Sequence, residues 1–336
     1  MKRTLTTILG LALFALLFLP KGADALTVMP PQFDYTLNPG DTVLDVIKLR
    51  NETETPYVFY PIKMNFSADE SESGTPQFYS PDEDRMGMSL AKWITFDPAP
   101  ITLMPGQMAN LSFAINVPEE NVQPGGHYGS IMLSTTPAGD DGIGVGVASQ
   151  LATIILVRIS GDIREVGNIS EFGFTEPKTW YNHLPIDFFM RFENAGNTHL
   201  RPTGNLIITN WLGRQVESIK VNPEFKSVLP MSVRKYEFGW HKGILGDNLS
   251  GLQKEWRAFA LGKYKAQLLI NYGSTNQIIV DEREFYVWPW RLMIAGGAGL
   301  LVLLVLLTVI KYSYDRSLMK KYEKMQTKAE SGKQKA

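Results

Sequence analysis

The chain has 336 residues and a net charge of −1, but the charge is unevenly divided. Residues 26–291 carry 22 Lys/Arg against 30 Asp/Glu, a net of −8, which makes nucleic acid and bare phosphate polymers poor partners for that portion. With no cysteine there is neither a disulfide framework nor a thiolate metal site, and the length allows two hydrophobic cores of roughly 100 to 150 residues each.

At the N-terminus, Lys2-Arg3 precede the mostly apolar stretch Leu5 to Leu19, and Ala23-Asp24-Ala25 offers a small-x-small cleavage site. This layout predicts a secretory signal peptide over residues 1–25, with an uncleaved signal anchor as the alternative. An exported portion without a disulfide fits a bacterial secretory route better than a eukaryotic one.

From residue 26 onward the pattern is that of strands. Leu111, Phe113, Ile115 and Val117 alternate with polar residues; so do Ile186, Phe188, Met190 and Phe192, and then Tyr264, Ala266, Leu268 and Ile270. Turn signals such as Asn38-Pro39-Gly40, Met104-Pro105-Gly106, Pro124-Gly125-Gly126 and Asn194-Ala195-Gly196-Asn197 separate the runs. No window before the C-terminal segment carries a sustained helical stripe with caps. The prediction is an all-β portion of two tandem Ig-like β-sandwich domains, followed by a single transmembrane helix. Three marks recur in the same order: a strand ending on Asn51 or Asn194, a turn at Leu103-Met104-Pro105 or Leu229-Pro230, and a strand opened by Gly126-His127-Tyr128 or Gly262-Lys263-Tyr264. Two copies of one sandwich explain this, with domains over 26–161 and 162–287.

The candidate sites follow from this frame. Asp69, Glu70, Glu72, Asp82, Glu83 and Asp84 lack the spacing and sixth-position glycine of a calcium loop, which predicts a solvated connection. Being long and polar, the segment Ser67 to Met88 is still an expected binding surface, with Asp82 and Asp84 as its candidate residues. Gly142, Gly144 and Gly146 lack the strand–turn–helix setting of a dinucleotide fingerprint, and a glycine-rich hairpin arm is expected there. Ser-x-x-Lys occurs at Ser89, Ser232 and Ser317 without its companion motifs, and the four histidines have no ligand spacing. The expectation is therefore a non-enzyme with no cofactor and no metal. Trp180, Tyr181 and Trp211 stand beside turns, where flat rings stack on sugars or anchor protein interfaces unless they fill the two cores.

Leu292 to Ile310 is a run of nineteen uncharged residues, about 28 Å as a helix, which predicts a transmembrane segment over 288–311. Trp288, Trp290, Lys311 and Tyr312 suit the two interfaces. The following residues, 312–336, form a basic tail, so the expected arrangement is a single-pass type I protein of the plasma membrane, tail cytoplasmic and sandwiches extracellular. Arg291 alone stands on the wrong side for that charge rule. Ala295, Gly296, Gly297 and Gly299 make a small-residue face that would let two such helices approach closely, with an unpaired single span as the alternative.

The order of these parts, together with Trp93-Ile94-Thr95-Phe96, Ile101 to Gly106, Val117-Pro118 and Gly125-Gly126-His127-Tyr128-Gly129, resembles the first domain of bacterial WxL-interacting proteins in its setting. Asn194-Ala195-Gly196-Asn197, Leu229-Pro230 and the Gly262-Lys263-Tyr264 strand look like the second domain of that family. The resemblance implies a cell-surface scaffold or adhesion protein, with a peptidoglycan-associated first domain and a second domain that meets proteins, WxL-domain proteins among them. The expected partners are thus cell-wall glycan or a surface protein, and the lipid bilayer. The alternative is a non-catalytic accessory subunit of a membrane export or envelope-assembly machine, working through the span and tail.

Overall fold

The structure is a computed structural model that describes residues 26–136, 150–241 and 249–333. The expected signal peptide (1–25) and the glycine-rich arm (142–146) lie outside the described residues.

The described chain before the last helix is built almost wholly of strands, as its alternation predicts. The first ten are β1 (Leu26–Met29), β2 (Gln32–Leu37), β3 (Thr42–Asn51), β4 (Tyr57–Ala68), β5 (Pro76–Tyr79), β6 (Ile94–Phe96), β7 (Ile101–Leu103), β8 (Met108–Asn116), β9 (Gly125–Ser134) and β10 (Gln150–Ile159), with a 3-10 turn at Ala91–Trp93. They form two sheets, ordered β1-β3-β8-β6 and β2-β10-β9-β4-β5, with β7 added on β4. The predicted inward set of β8 is buried, Leu111, Phe113 and Ile115 meeting Ile47 and Leu49 of β3 and, from the facing sheet, Ile131, Leu133, Ile155 and Val157. Each such side chain removed from water contributes roughly 1.5–3 kcal/mol. Strand β9 is buried at every position because both its faces are covered.

The next eight strands are β11 (Gly167–Phe174), β12 (Trp180–Tyr181), β13 (Ile186–Asn194), β14 (Thr203–Asn210), β15 (Gln215–Val221), β16 (Ser232–Trp240), β17 (Gly262–Tyr272) and β18 (Gln277–Val287). Their sheets run β11-β13-β16 and β12-β18-β17-β14-β15. The alternation of β13 and β17 again buries the predicted faces. An aromatic cluster fills the centre: Phe285 lies 5.9 Å from Phe188, 5.7 Å from Phe174 and 5.6 Å from Tyr264, centroid to centroid.

By its internal contacts the chain divides into two compact units. One holds the described residues through Gly167 with Glu193–Leu200 and Ser227–Arg234; the other holds Asn168–Phe192, Arg201–Lys226 and the described residues from Lys235 onward.

One helix was not expected, and another outruns the predicted span. Helix α1 (Gly251–Arg257) is preceded by Ser250, whose hydroxyl accepts the Gln253 N–H while the Gln253 side chain accepts the Ser250 N–H. That Ser-x-x-Gln capping box was legible; what hid the helix is its length of two turns, too short for a periodic stripe. Helix α2 (Trp290–Lys333) is long and apolar enough to cross a membrane, and it runs 44 residues rather than ending near Lys311. No glycine or proline follows Ile310 until the last turn, so nothing stops the helix at the end of the apolar run. Trp288 precedes it, its N–H donating to the Tyr181 carbonyl (2.7 Å).

Candidate functional site

Within the first unit one buried side chain organises a cleft. Asn65, on β4, is fully buried. Its Oδ1 accepts the N–H groups of Leu90 (3.0 Å) and Ala91 (2.8 Å), and its Nδ2 donates to the carbonyls of Ser80 (3.1 Å) and Glu83 (3.0 Å). All four polar valences of the amide are thereby spent on the two ends of the acidic connection between β5 and β6, which a buried backbone requires. The C-terminal end also lies on β9, where the Tyr128 N–H donates to the Met88 carbonyl (2.8 Å). A side chain at Gly129 would stand 3.0 Å from the Leu90 Cβ, so glycine there permits the close approach.

Between this connection and the turn leading into β9 is a cleft of about 510 Å³, lined by Glu83, Asp84, Lys92, Trp93, Gln123 and His127 among others. Trp93 is supplied by the 3-10 turn and packs on the His127 ring, centroids 4.4 Å apart. His127 is 3 % exposed, with Nε2 2.8 Å from the Gln123 carbonyl and Nδ1 3.3 Å from the Ser89 carbonyl. Burial pushes its pKa down, against the opposing pull of those two carbonyls and of Asp84. As a neutral ring it donates to only one of the two carbonyls, and the shorter contact assigns that proton to Nε2. Lys92 and Asp84 are exposed at the mouth, and the Asp84 Oδ1 accepts the Ser89 N–H (3.3 Å). The cleft therefore combines an aromatic ring, carboxylates, an ammonium and an amide, a set suited to hydrogen-bonding and stacking on a polar ligand.

The predicted site residues are dispersed. Asp84 lines the cleft, whereas Asp82 is exposed beside it and is not part of the lining. Trp180 and Tyr181, neighbours on β12, point to opposite sides as strand geometry demands. Trp180 is 60 % exposed with one face stacked on Tyr286 (4.6 Å), whereas Tyr181 is buried. Tyr181 packs in the aromatic core, its phenol pushed up to about 12, chiefly by that burial. Trp211 is exposed in the β14–β15 turn. Trp288, Trp290, Lys311 and Tyr312 are all exposed. Among the described residues no group of three His, Asp or Glu side chains is disposed to hold a metal ion, the acidic connection included. Sequence reading missed Asn65, Trp93 and His127 as parts of one site. An Asn between Met64 and Phe66 of a strand was the available signal for the first; nothing local announces the other two.

No family model and no curated protein sequence matches the chain. Among solved structures it is similar to the class 5 fimbriae chaperone CfaA, at 10 % identity and a TM-score of 0.36, covering 77 % of this chain and 99 % of that one. A similar match is the CFA/I chaperone–tip adhesin complex, at 9 % identity, TM-score 0.36, and 77 % and 98 % coverage. A third is a PapD-like domain of human CEP192, at 13 % identity, TM-score 0.27, and 43 % and 91 % coverage. At such scores these likenesses carry nothing about partner or activity, and the β-sandwich architecture rests on the sheets of this chain alone.

Proposed function

We propose that this protein is a membrane-anchored cell-surface scaffold whose first sandwich binds cell-wall glycan through the Asp84–Trp93–His127 cleft. The observation that carries the reading is the cleft itself: an aromatic ring beside carboxylates and an ammonium, held in place by a buried asparagine. Sugars offer hydroxyls to the carboxylates and C–H faces to the indole, and the amino sugars and peptide stems of a cell wall offer groups to both signs of charge. Helix α2 supplies the anchor, with the sandwiches on the outer face and the basic tail inside. The resemblance to WxL-interacting proteins agrees with this reading and adds a WxL-domain protein as the proposed protein partner.

The test uses the full-length protein in detergent, incubated with purified sacculi and pelleted. Wild type is retained, whereas Trp93→Ala and Asp84→Asn each lower retention about tenfold, the equivalent of roughly 1.4 kcal/mol. Retention of neither wild type nor variants, or equal retention of all three, overturns the proposal.

A further inference from the structure

Five of the seven tryptophans are exposed, and the second unit gathers four of them at one end of its larger sheet. Trp180 pairs with Tyr286, one residue before the end of β18, and Tyr181 with Val287. Gly262, which opens β17, also pairs with Val287, and Trp211 lies over it: a Cβ on Gly262 would stand 3.1 Å from the indole. Trp288 and Trp290 follow directly where β18 gives way to α2. Trp180 and Trp211 are three strand spacings apart, roughly 14 Å, so the rings form a row along the sheet end from which α2 departs.

The fifth ring, Trp256, is on α1 and is 72 % exposed. Helix α1 is fastened to the start of α2 by Glu255, whose fully buried carboxylate accepts the Leu292 N–H at 2.8 Å. A carboxylate at a helix N-terminus is favourable both as an acceptor and against the helix dipole. Leu252 and Trp256 then overhang Leu292, Ala295 and Gly296, enclosing a groove of about 560 Å³. Those three residues are the first, fourth and fifth of the uncharged run, so the groove reaches roughly 6 Å below its beginning at 1.5 Å per residue. In water this arrangement exposes Leu252, Trp256, Phe259 and Leu261 together as one apolar patch. Arg257 lines the groove, and the Arg291 guanidinium lies beside Gly251.

We infer that this end of the second sandwich, with α1, is seated in the interfacial layer of the bilayer, lipid acyl chains filling the groove between α1 and α2. The inference rests on the reading of α2 as a membrane span and goes beyond it: the span alone leaves the sandwich free above the surface, whereas the collar of rings and α1 hold it down. Indoles favour the headgroup level, an interfacial helix sinks about 5–10 Å into that boundary, and cations beside it meet lipid phosphates. Arg291, which offends the charge rule for topology, is then a headgroup ligand. Lipid is favoured over a second copy of α2 as the occupant because α1 already overhangs Ala295 and Gly296, part of the small-residue face that close helix pairing needs.

The absence of cysteine makes single spin labels unambiguous. The full chain is reconstituted in nanodiscs of phosphatidylcholine and phosphatidylglycerol with one substitution at a time: Trp256→Cys, Trp211→Cys, Val305→Cys in the middle of α2, and Thr275→Cys in the β17–β18 turn at the far end of the sheet. Leu252→Cys, one turn before Trp256 on the same face, repeats the α1 measurement independently. Power saturation with oxygen and a nickel chelate reads the depth. The expected result is Val305 deep in lipid, Trp256, Leu252 and Trp211 within about 10 Å of the headgroup–acyl boundary, and Thr275 in water. Collar labels as accessible to nickel as Thr275, with Val305 in lipid, overturn the inference and leave the span standing. Val305 in water removes the span and the inference with it. Spin–spin broadening at Trp256 in discs carrying two chains places a second copy in the groove and overturns lipid as its occupant.

Discussion

The two sandwiches share a frame and differ in what is attached to it. Asn51 and Asn194 end equivalent strands, both fully buried. The Asn51 amide donates to the carbonyls of Thr55 (2.8 Å) and Leu103 (3.1 Å), and that of Asn194 to those of Thr198 (2.8 Å) and Val228 (2.9 Å). Each Oδ1 accepts the N–H two residues on, Thr53 in one copy and Gly196 in the other. Each backbone carbonyl accepts an N–H from the proline turn, Gly106 or Met231. In each sandwich an early strand also runs parallel to the last, β2 on β10 and β12 on β18. Against this common frame, the first copy carries the Asn65-held connection with its polar cleft, and the second carries α1 and the aromatic collar. The frame is conserved by buried hydrogen bonds; the differences sit in connections, where added residues cost the core nothing.

The comparison can be broken at several points. The largest effect is expected from Asn65→Ala, which orphans the Leu90 and Ala91 N–H groups: a loss of about 3 kcal/mol, confined to the first sandwich, with the loss of retention on sacculi. Urea unfolding followed by hydrogen exchange checks it, and protection lost in both sandwiches alike would count against a local role. Next come Asn51→Ala and Asn194→Ala, each expected to cost about 2 kcal/mol in its own strand corner. A cost in one copy and none in the other would show the two corners to be unlike. Trp93→Ala and Asp84→Asn come third, about tenfold in binding, while the equivalent depletion of the second sandwich by Trp180→Ala leaves retention on sacculi unchanged.

The smallest effect concerns pH. Burial holds His127 below its ordinary 6.5, so between its folded value and 6.5 the unfolded chain binds more protons than the native one. Stability of the first sandwich therefore falls as pH drops through that window, with no such step from this group above it. Thermal melts between about pH 7 and pH 5 show the slope, and His127→Gln flattens it. A slope that persists in His127→Gln assigns the effect to another group.

Much of the frame is legible in the amino-acid order. Period-two alternation marked β8, β13 and β17 and chose their buried faces, because a strand with one covered face admits only one phase of apolar residues. The paired landmarks at Asn51 and Asn194 announced the repeat, and nineteen uncharged residues announced α2. The length of α2 was less legible, since a run of apolar residues measures a membrane and not a helix. Helix α1 was missed although its capping box stood in the sequence, because seven residues give no period to read.

Local patterns in the sequence, then, decide which backbone forms and which face it hides, as those follow from neighbours two to four residues away. Only the tertiary structure decides which distant residues meet. Asp84, Trp93 and His127 come from an acidic connection, a 3-10 turn and a central strand, and converge because Asn65 of β4 spends its whole amide on the connection, whose end is also held on β9 by the Tyr128 N–H. Trp180, Trp211, Trp288 and Trp290, spread over 111 positions, share one end of a sheet because strand register brings β12, β14, β17 and β18 together there, and Trp256 joins the start of α2 through the Glu255–Leu292 hydrogen bond. Tyr181, adjacent in sequence to the first of them, is buried in the core, since one step along a strand reverses the face.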